Sequence, residues 1–154
     1  MASILALTQS QPTRSLAPGE ALLSEGDAGG ELYVLESGRL IVERGNVTIA
    51  TIDNPGALIG EMSVLLGSDH SATVRAETAS KVRVIEDALP FLERTPLVAL
   101  HVATLACQRL DATSALLVEL RHEAKGKTDD QGVLNRIWSA LTEGQRGSRV
   151  ATHE

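Results

Sequence analysis

Between residues 16 and 86 the chain is interrupted every few residues by a turn signal, and this rhythm constrains the fold more than any other feature. Pro18-Gly19, Glu25-Gly26-Asp27, Ser37-Gly38, Gly45-Asn46 and Asn54-Pro55-Gly56 all read as turns. The runs at 31–35, 39–43, 47–52, 72–76 and 82–85 are rich in β-branched and apolar residues and have ordinary strand length. Short strands at such regular intervals predict an all-β sandwich or barrel.

After Asp87 the period changes. Residues 88–94 fit a short helix, and Pro96 suits the first turn of a longer one running to about 124. Along that helix Ala103, Ala106, Leu110, Thr113, Leu117, Leu120 and Ala124 keep a heptad spacing, a narrow seam able to pair with a second copy of itself. Val98, Val102 and Leu105 form another stripe suited to packing on the barrel. The alternative is one helix buried only against its own domain; the leftover apolar seam favours a homodimer. Residues 125–132 are polar, 133–141 fit a short amphipathic helix, and 144–154 have the composition of a disordered tail. The expected organisation is an N-terminal lead at 1–15, one domain at 16–124, and a linker, short helix and tail at 125–154.

The 154 residues suit one domain with its own core. A net charge of −6 gives no general attraction to nucleic acid or anionic membrane, which need clustered Lys and Arg. The single cysteine, Cys107, excludes an intrachain disulfide and fits a reducing cytoplasm. No stretch approaches the roughly 20 apolar residues that span a bilayer, and the N-terminus lacks the basic and apolar regions of a signal peptide. His70, His101, His122 and His153 are scattered over loop, helix and tail, so no metal site and no cofactor is expected. Ser68-Asp69-His70-Ser71 contains triad residue types, but neighbours on one loop do not converge as nucleophile, base and orienter. Catalysis is not expected.

The stretch LIGEMSVLLGSDHSATVRAET, from Leu58 to Thr78, carries the candidate binding chemistry. A helix opening at Gly60-Glu61-Met62-Ser63 presents unpaired backbone N–H groups and the positive end of its dipole, which together suit an anion. A carboxylate beside an anion repels it, so Glu61 makes sense as an acceptor for a ligand hydroxyl such as a ribose 2′-OH.

This stretch resembles the phosphate-binding cassette of cyclic nucleotide-binding domains. In that family a Gly-Glu pair opens a short helix, and a basic residue later precedes a small-Ala-Thr-Val strand; Gly60, Glu61 and Ser71-Ala72-Thr73-Val74 match. PGEALLSEGDAGGELYVLESGRLIVE resembles the first half of the same domain, so the resemblance covers about residues 16–124. It implies a jelly-roll barrel, a double-stranded β-helix, followed by a short and a long helix. It also implies that Glu61 binds the ribose hydroxyl and that amides near Ile59 to Ser63 and at Ser71 and Ala72 bind a cyclic phosphate. Residue 70 would supply the countercharge. That residue is usually Arg and here is His70, which replaces a permanent bidentate cation by an imidazole largely neutral at pH 7. A bound phosphate would favour the protonated ring; the plainer alternative is a solvated loop residue in a degenerate pocket.

The text RLDATSALLVEL resembles the dimerisation helix of the catabolite-activator (Crp-Fnr) branch. By that resemblance Thr113 and Ser114 contact the base of cyclic AMP, and Arg109 meets Glu61 or the phosphate. The alternative for both hydroxyls is a bond to the helix carbonyl four residues back. Relatives in this branch carry a DNA-binding domain after the helix, and the roughly 30 residues left here are too few for one with its own core. The reading is a sensor for cyclic AMP, or less readily cyclic GMP, that signals through its C-terminal helix, with 125–154 available to a protein partner. The competing reading is a ligand-free dimerisation scaffold of the same fold.

Overall fold

The computed structural model describes residues 3–123, 132, 135–137 and 139. Eight antiparallel strands form two four-stranded sheets. The first sheet contains β1 (Thr13–Leu16), β8 (Ser80–Ile85), β3 (Leu32–Ser37) and β6 (Leu58–Ile59), in that order. The second contains β2 (Ala21–Leu23), β7 (Thr73–Ala76), β4 (Leu40–Arg44) and β5 (Val47–Ile52). This is the expected jelly-roll barrel, and α1 (Ile4–Leu7), α2 (Glu61–Leu66), α3 (Ala88–Arg94) and α4 (Pro96–Glu123) accompany it.

Period-two alternation builds the core from both sheets. Leu16, Tyr33, Leu35, Ile59 and Val82 enter it from the first sheet, and Leu22, Leu40, Val74 and Ala76 from the second. In β3 the residues of opposite parity, Leu32 and Val34, are also fully buried, so this strand is covered on both faces; α1 lies against it. The second sheet ends at β5, whose Val47 and Ile49 are exposed.

Four elements were not expected from the turn rhythm: α1, β1, β2 and β6. Strand β1 lies in and just beyond the lead segment, where it pairs with β8 from Thr13↔Arg83 to Leu16↔Ser80. The two shortest, β2 and β6, have three and two residues, too few for alternation to register.

The chain divides into two compact units, Met1–Ala103 and Thr104–Glu154. The first holds the barrel, α1 to α3 and the start of α4, where Val98 and Val102 are buried as the second stripe requires. In the second unit, Leu110, Leu116, Val118 and Leu120 of α4 are exposed, and Leu105, Ser114 and Leu117 are half-buried. Of the expected helix at 133–141, residues 135–137 and 139 are described and helical; the linker at 125–131 and the tail at 144–154 lie outside the described residues.

Candidate functional site

The pairing of β6 with β3, Leu58↔Val34 and Ile59↔Tyr33, fixes where the chain leaves the barrel. The Ile59 side chain belongs to the barrel core, so only its backbone remains for any ligand. Gly60 then turns the chain into α2 at φ +89°, a conformation other L-residues adopt at a cost. A Cβ there would also lie 2.7 Å from the Glu31 carbonyl oxygen, so both backbone angle and space demand glycine.

Helix α2 has six residues. Glu61 is its first and is 7% exposed; a carboxylate so far from water must be paired or hydrogen-bonded. Met62 faces outward at 53% exposure. Ser63 is buried one step further on, with its Oγ 2.8 Å from His70 Nδ1. The helix stops at Gly67, whose N–H donates to the Ser63 carbonyl.

Beyond it Ser68, Asp69 and Ser71 are exposed, whereas His70 is buried among them. His70 is therefore not the solvated loop residue of the plainer alternative. Its N–H donates to the Asp27 carbonyl at 2.8 Å, its carbonyl accepts from the Gly26 N–H at 2.9 Å, and its ring is held by Ser63. The Glu25 N–H donates to Thr73 Oγ1 at 3.0 Å, which ties the next strand to the same loop. Ala72 is half-buried at the entry to β7. Ile59, Gly60, Glu61, Met62, Ser63, His70, Ser71 and Ala72 thus form one local assembly around α2, joined across its loop by the Ser63–His70 bond.

The other predicted residues, Arg109, Thr113 and Ser114, lie on α4 in the second unit. Thr113 Oγ1 donates to the Arg109 carbonyl at 2.8 Å, the back-bond that competes with a base contact.

Three supports of the site escape a reading by motif. Gly29 permits close approach, since a Cβ on it would stand 2.2 Å from Ser63 Cβ. Tyr33 and Glu31 wall the Gly60 turn, and the Tyr33 hydroxyl donates to Glu31 Oε2. The Gly-Gly and Tyr of AGGELYV were their only trace in the sequence. A cleft of about 320 Å³ also opens beside α2, lined by Gly29, Gly30, Ser63, Ser68 and Asp69 among others; Glu61 and His70 do not line it. No cluster of three or more metal-ligating side chains occurs among the described residues. No helix among them is long and apolar enough to cross a membrane.

The family model of the cyclic nucleotide-binding domain matches residues 13–89, a span that begins at β1 and ends in α3. The chain is 36% identical over 105 residues to the cyclic AMP receptor protein of Thermus thermophilus, 63% of this chain and 48% of that protein. It is 34% identical over 71 residues to a cGMP-dependent protein kinase of Eimeria tenella, 46% of this chain and 7% of the kinase. The crystal structure of the Thermus thermophilus catabolite activator protein superposes with a TM-score of 0.66 and 31% identity, over 75% of this chain and 57% of that one. The chain thus spans about half the length of the receptor protein it matches.

Proposed function

This chain belongs to the cyclic nucleotide-binding domain family, and we propose that it is a sensor that prefers cyclic AMP to cyclic GMP and signals by repositioning its C-terminal helix. The observation that carries the reading is the buried Glu61 at the glycine turn into α2, inside the matched residues and two residues before the Ser63 of the Ser63–His70 pair. In this reading Glu61 accepts the ribose hydroxyl. Amides of residues 59–63 and of Ser71 and Ala72 meet the cyclic phosphate, aided by His70. The family resemblance assigns Arg109, Thr113 and Ser114 to the same ligand.

The preference for cyclic AMP rests on the Thr113-Ser114 pair and on the receptor protein similar over 63% of the chain; the kinase named for cyclic GMP is similar over 46%. Signalling requires the ligand to bind two helix positions with different affinity. The exposed Leu110, Leu116 and Leu120 support a homodimer through α4, and the proposal includes a protein partner for residues 125–154. The net charge of −6 supports an output other than DNA contact by this chain, and nothing in the site calls for catalysis or a cofactor.

Titration calorimetry with cyclic AMP and cyclic GMP tests the proposal. The parent should bind both nucleotides, cyclic AMP more tightly, and Glu61→Ala should lose on the order of 100-fold in affinity, the cost of removing a charged acceptor from a paired hydroxyl. A variant that binds as tightly as the parent removes the ribose assignment. A parent that binds neither nucleotide leaves the dimerisation scaffold.

A further inference from the structure

Resting on the cyclic-nucleotide reading of the site, we propose that Ser63 is a positioning residue that sets the tautomer of His70, so that the neutral imidazole offers an Nε2–H donor to a phosphate oxygen. The Ser63 Oγ and His70 Nδ1 lie 2.8 Å apart in a buried contact. A serine hydroxyl has one proton to give, and a neutral imidazole carries one proton on either nitrogen.

If Nδ1 held the ring proton and donated it to Ser63, the hydroxyl proton would need an acceptor of its own. Ser63 is 6% exposed and its side chain has no other hydrogen-bond partner among the described residues. That arrangement leaves the hydroxyl proton to water in the cleft that Ser63 lines, although the protein itself offers it Nδ1. The reverse keeps the hydroxyl proton within the protein: the hydroxyl donates to Nδ1, and the ring proton resides on Nε2.

Among the described residues Nε2 has no protein partner, and none of their fully buried side-chain nitrogens and oxygens lacks one, so Nε2 keeps some exposure to solvent. The His70 backbone is bonded to Gly26 and Asp27, its ring is held at Nδ1 by Ser63, and Gly29 leaves Ser63 just the room it occupies. A neutral donor is weaker than the charged fork of arginine, but it presents an N–H at a fixed place. Histidine here is thus a working substitute for arginine, made so by the serine seven residues before it.

Nitrogen-15 NMR of the imidazoles in the ligand-free protein reads the tautomer directly, with His70 assigned by the signals lost in His70→Ala. The parent should show the Nε2–H form and Ser63→Ala a mixture. In calorimetry with cyclic AMP, His70→Ala should bind roughly fivefold to tenfold more weakly, the value of one hydrogen bond, and Ser63→Ala about twofold more weakly, since a mixture leaves about half of the rings in the donating tautomer. His70→Gln, with a neutral amide N–H at the position of Nε2, should remain within a fewfold of the parent. Ser63→Ala gains helix propensity but leaves the buried His70 Nδ1 without its partner, so its melting temperature should fall by a few degrees; were it to unfold, the parent spectrum and the Gln-against-Ala comparison at residue 70 still decide. An Nδ1–H tautomer in the parent, or an unchanged tautomer in Ser63→Ala, overturns the assignment. A changed tautomer with unchanged affinity overturns its role in binding. A parent that binds no cyclic nucleotide overturns the sensor reading instead, and the spectrum still judges the Ser63–His70 pair by itself.

Discussion

Tyr33 joins the barrel core to the turn that carries the site. It is 4% exposed, its ring lies beside Gly60, and its hydroxyl donates to Glu31. Burial first, then the hydrogen bond and the negative charge of Glu31, push the phenol well above its ordinary range. The folded protein thus holds this proton more tightly than the unfolded chain does. Its contribution to stability is complete below the ordinary phenol value of about 10 and is lost as pH rises beyond it. The chain has one tyrosine, so tyrosinate absorbance reports this group alone. Tyrosinate should appear only together with alkaline unfolding; a phenol that ionises near pH 10 in the folded protein contradicts the expectation. The same residue illustrates what a sequence reveals at this scale. Gly60 and Glu61 are legible because a glycine turn and a helix start are local events, written in adjacent residues. That Tyr33 and Glu31 wall the turn, and that Ser63 grips His70, depends on contacts between separate segments, which spacing does not encode.

Among the elements, α1 has only four residues, too short to hold itself together, and its place against β3 depends on Arg83 of β8. The guanidinium donates to the Leu5 carbonyl, to Thr8 Oγ1 at 3.3 Å, and to Glu36 Oε2 at 3.3 Å. Its side chain is 13% exposed, so water replaces these bonds poorly. Arg83→Ala should destabilise the fold by about 1–3 kcal/mol in urea denaturation, and proteolysis should then cut first near residue 8. A loss within experimental error would show that α1 is held by its apolar contacts alone. Neither α1 nor its anchor is legible in the sequence, since Arg83 reads there as one polar position of an alternating strand. Helix α4 is the opposite case: its length and the buried Val98 and Val102 follow from periodicity. The expected seam is less narrow than heptads suggest. Leu116 lies one turn from Leu120 and widens that face, whereas Val118 stands off it. Apolar surface of this kind on a helix favours self-association. Light scattering should give a dimer, and Leu117→Glu should give monomers by placing a charge within the seam. A parent that stays monomeric at high concentration removes the seam argument.

At the scale of the whole molecule, folding and binding are one linked equilibrium. The assembly around α2 exists only when the barrel is closed, because β6 delivers Gly60 and the loop at Gly26 and Asp27 pins His70. The unfolded chain brings neither segment to the other. A ligand that binds only the folded form stabilises it by mass action, by about 2.7 kcal/mol at a free concentration 100 times its Kd. For a chain of this size that corresponds to a rise in Tm of roughly 5–10 °C. Cyclic AMP should therefore raise the melting temperature by that amount, and the rise should continue with the logarithm of its concentration. Cyclic GMP should give a smaller shift at equal concentration. Noncyclic AMP should give little, since the site is read as one for a cyclic phosphate. Glu61→Ala is the control that separates specific binding from a general effect of nucleotide. The variant loses the proposed ribose acceptor without touching the barrel core, so it should melt cooperatively yet respond weakly to cyclic AMP. An equal shift in parent and variant would place the nucleotide somewhere other than the Gly60–Glu61 turn.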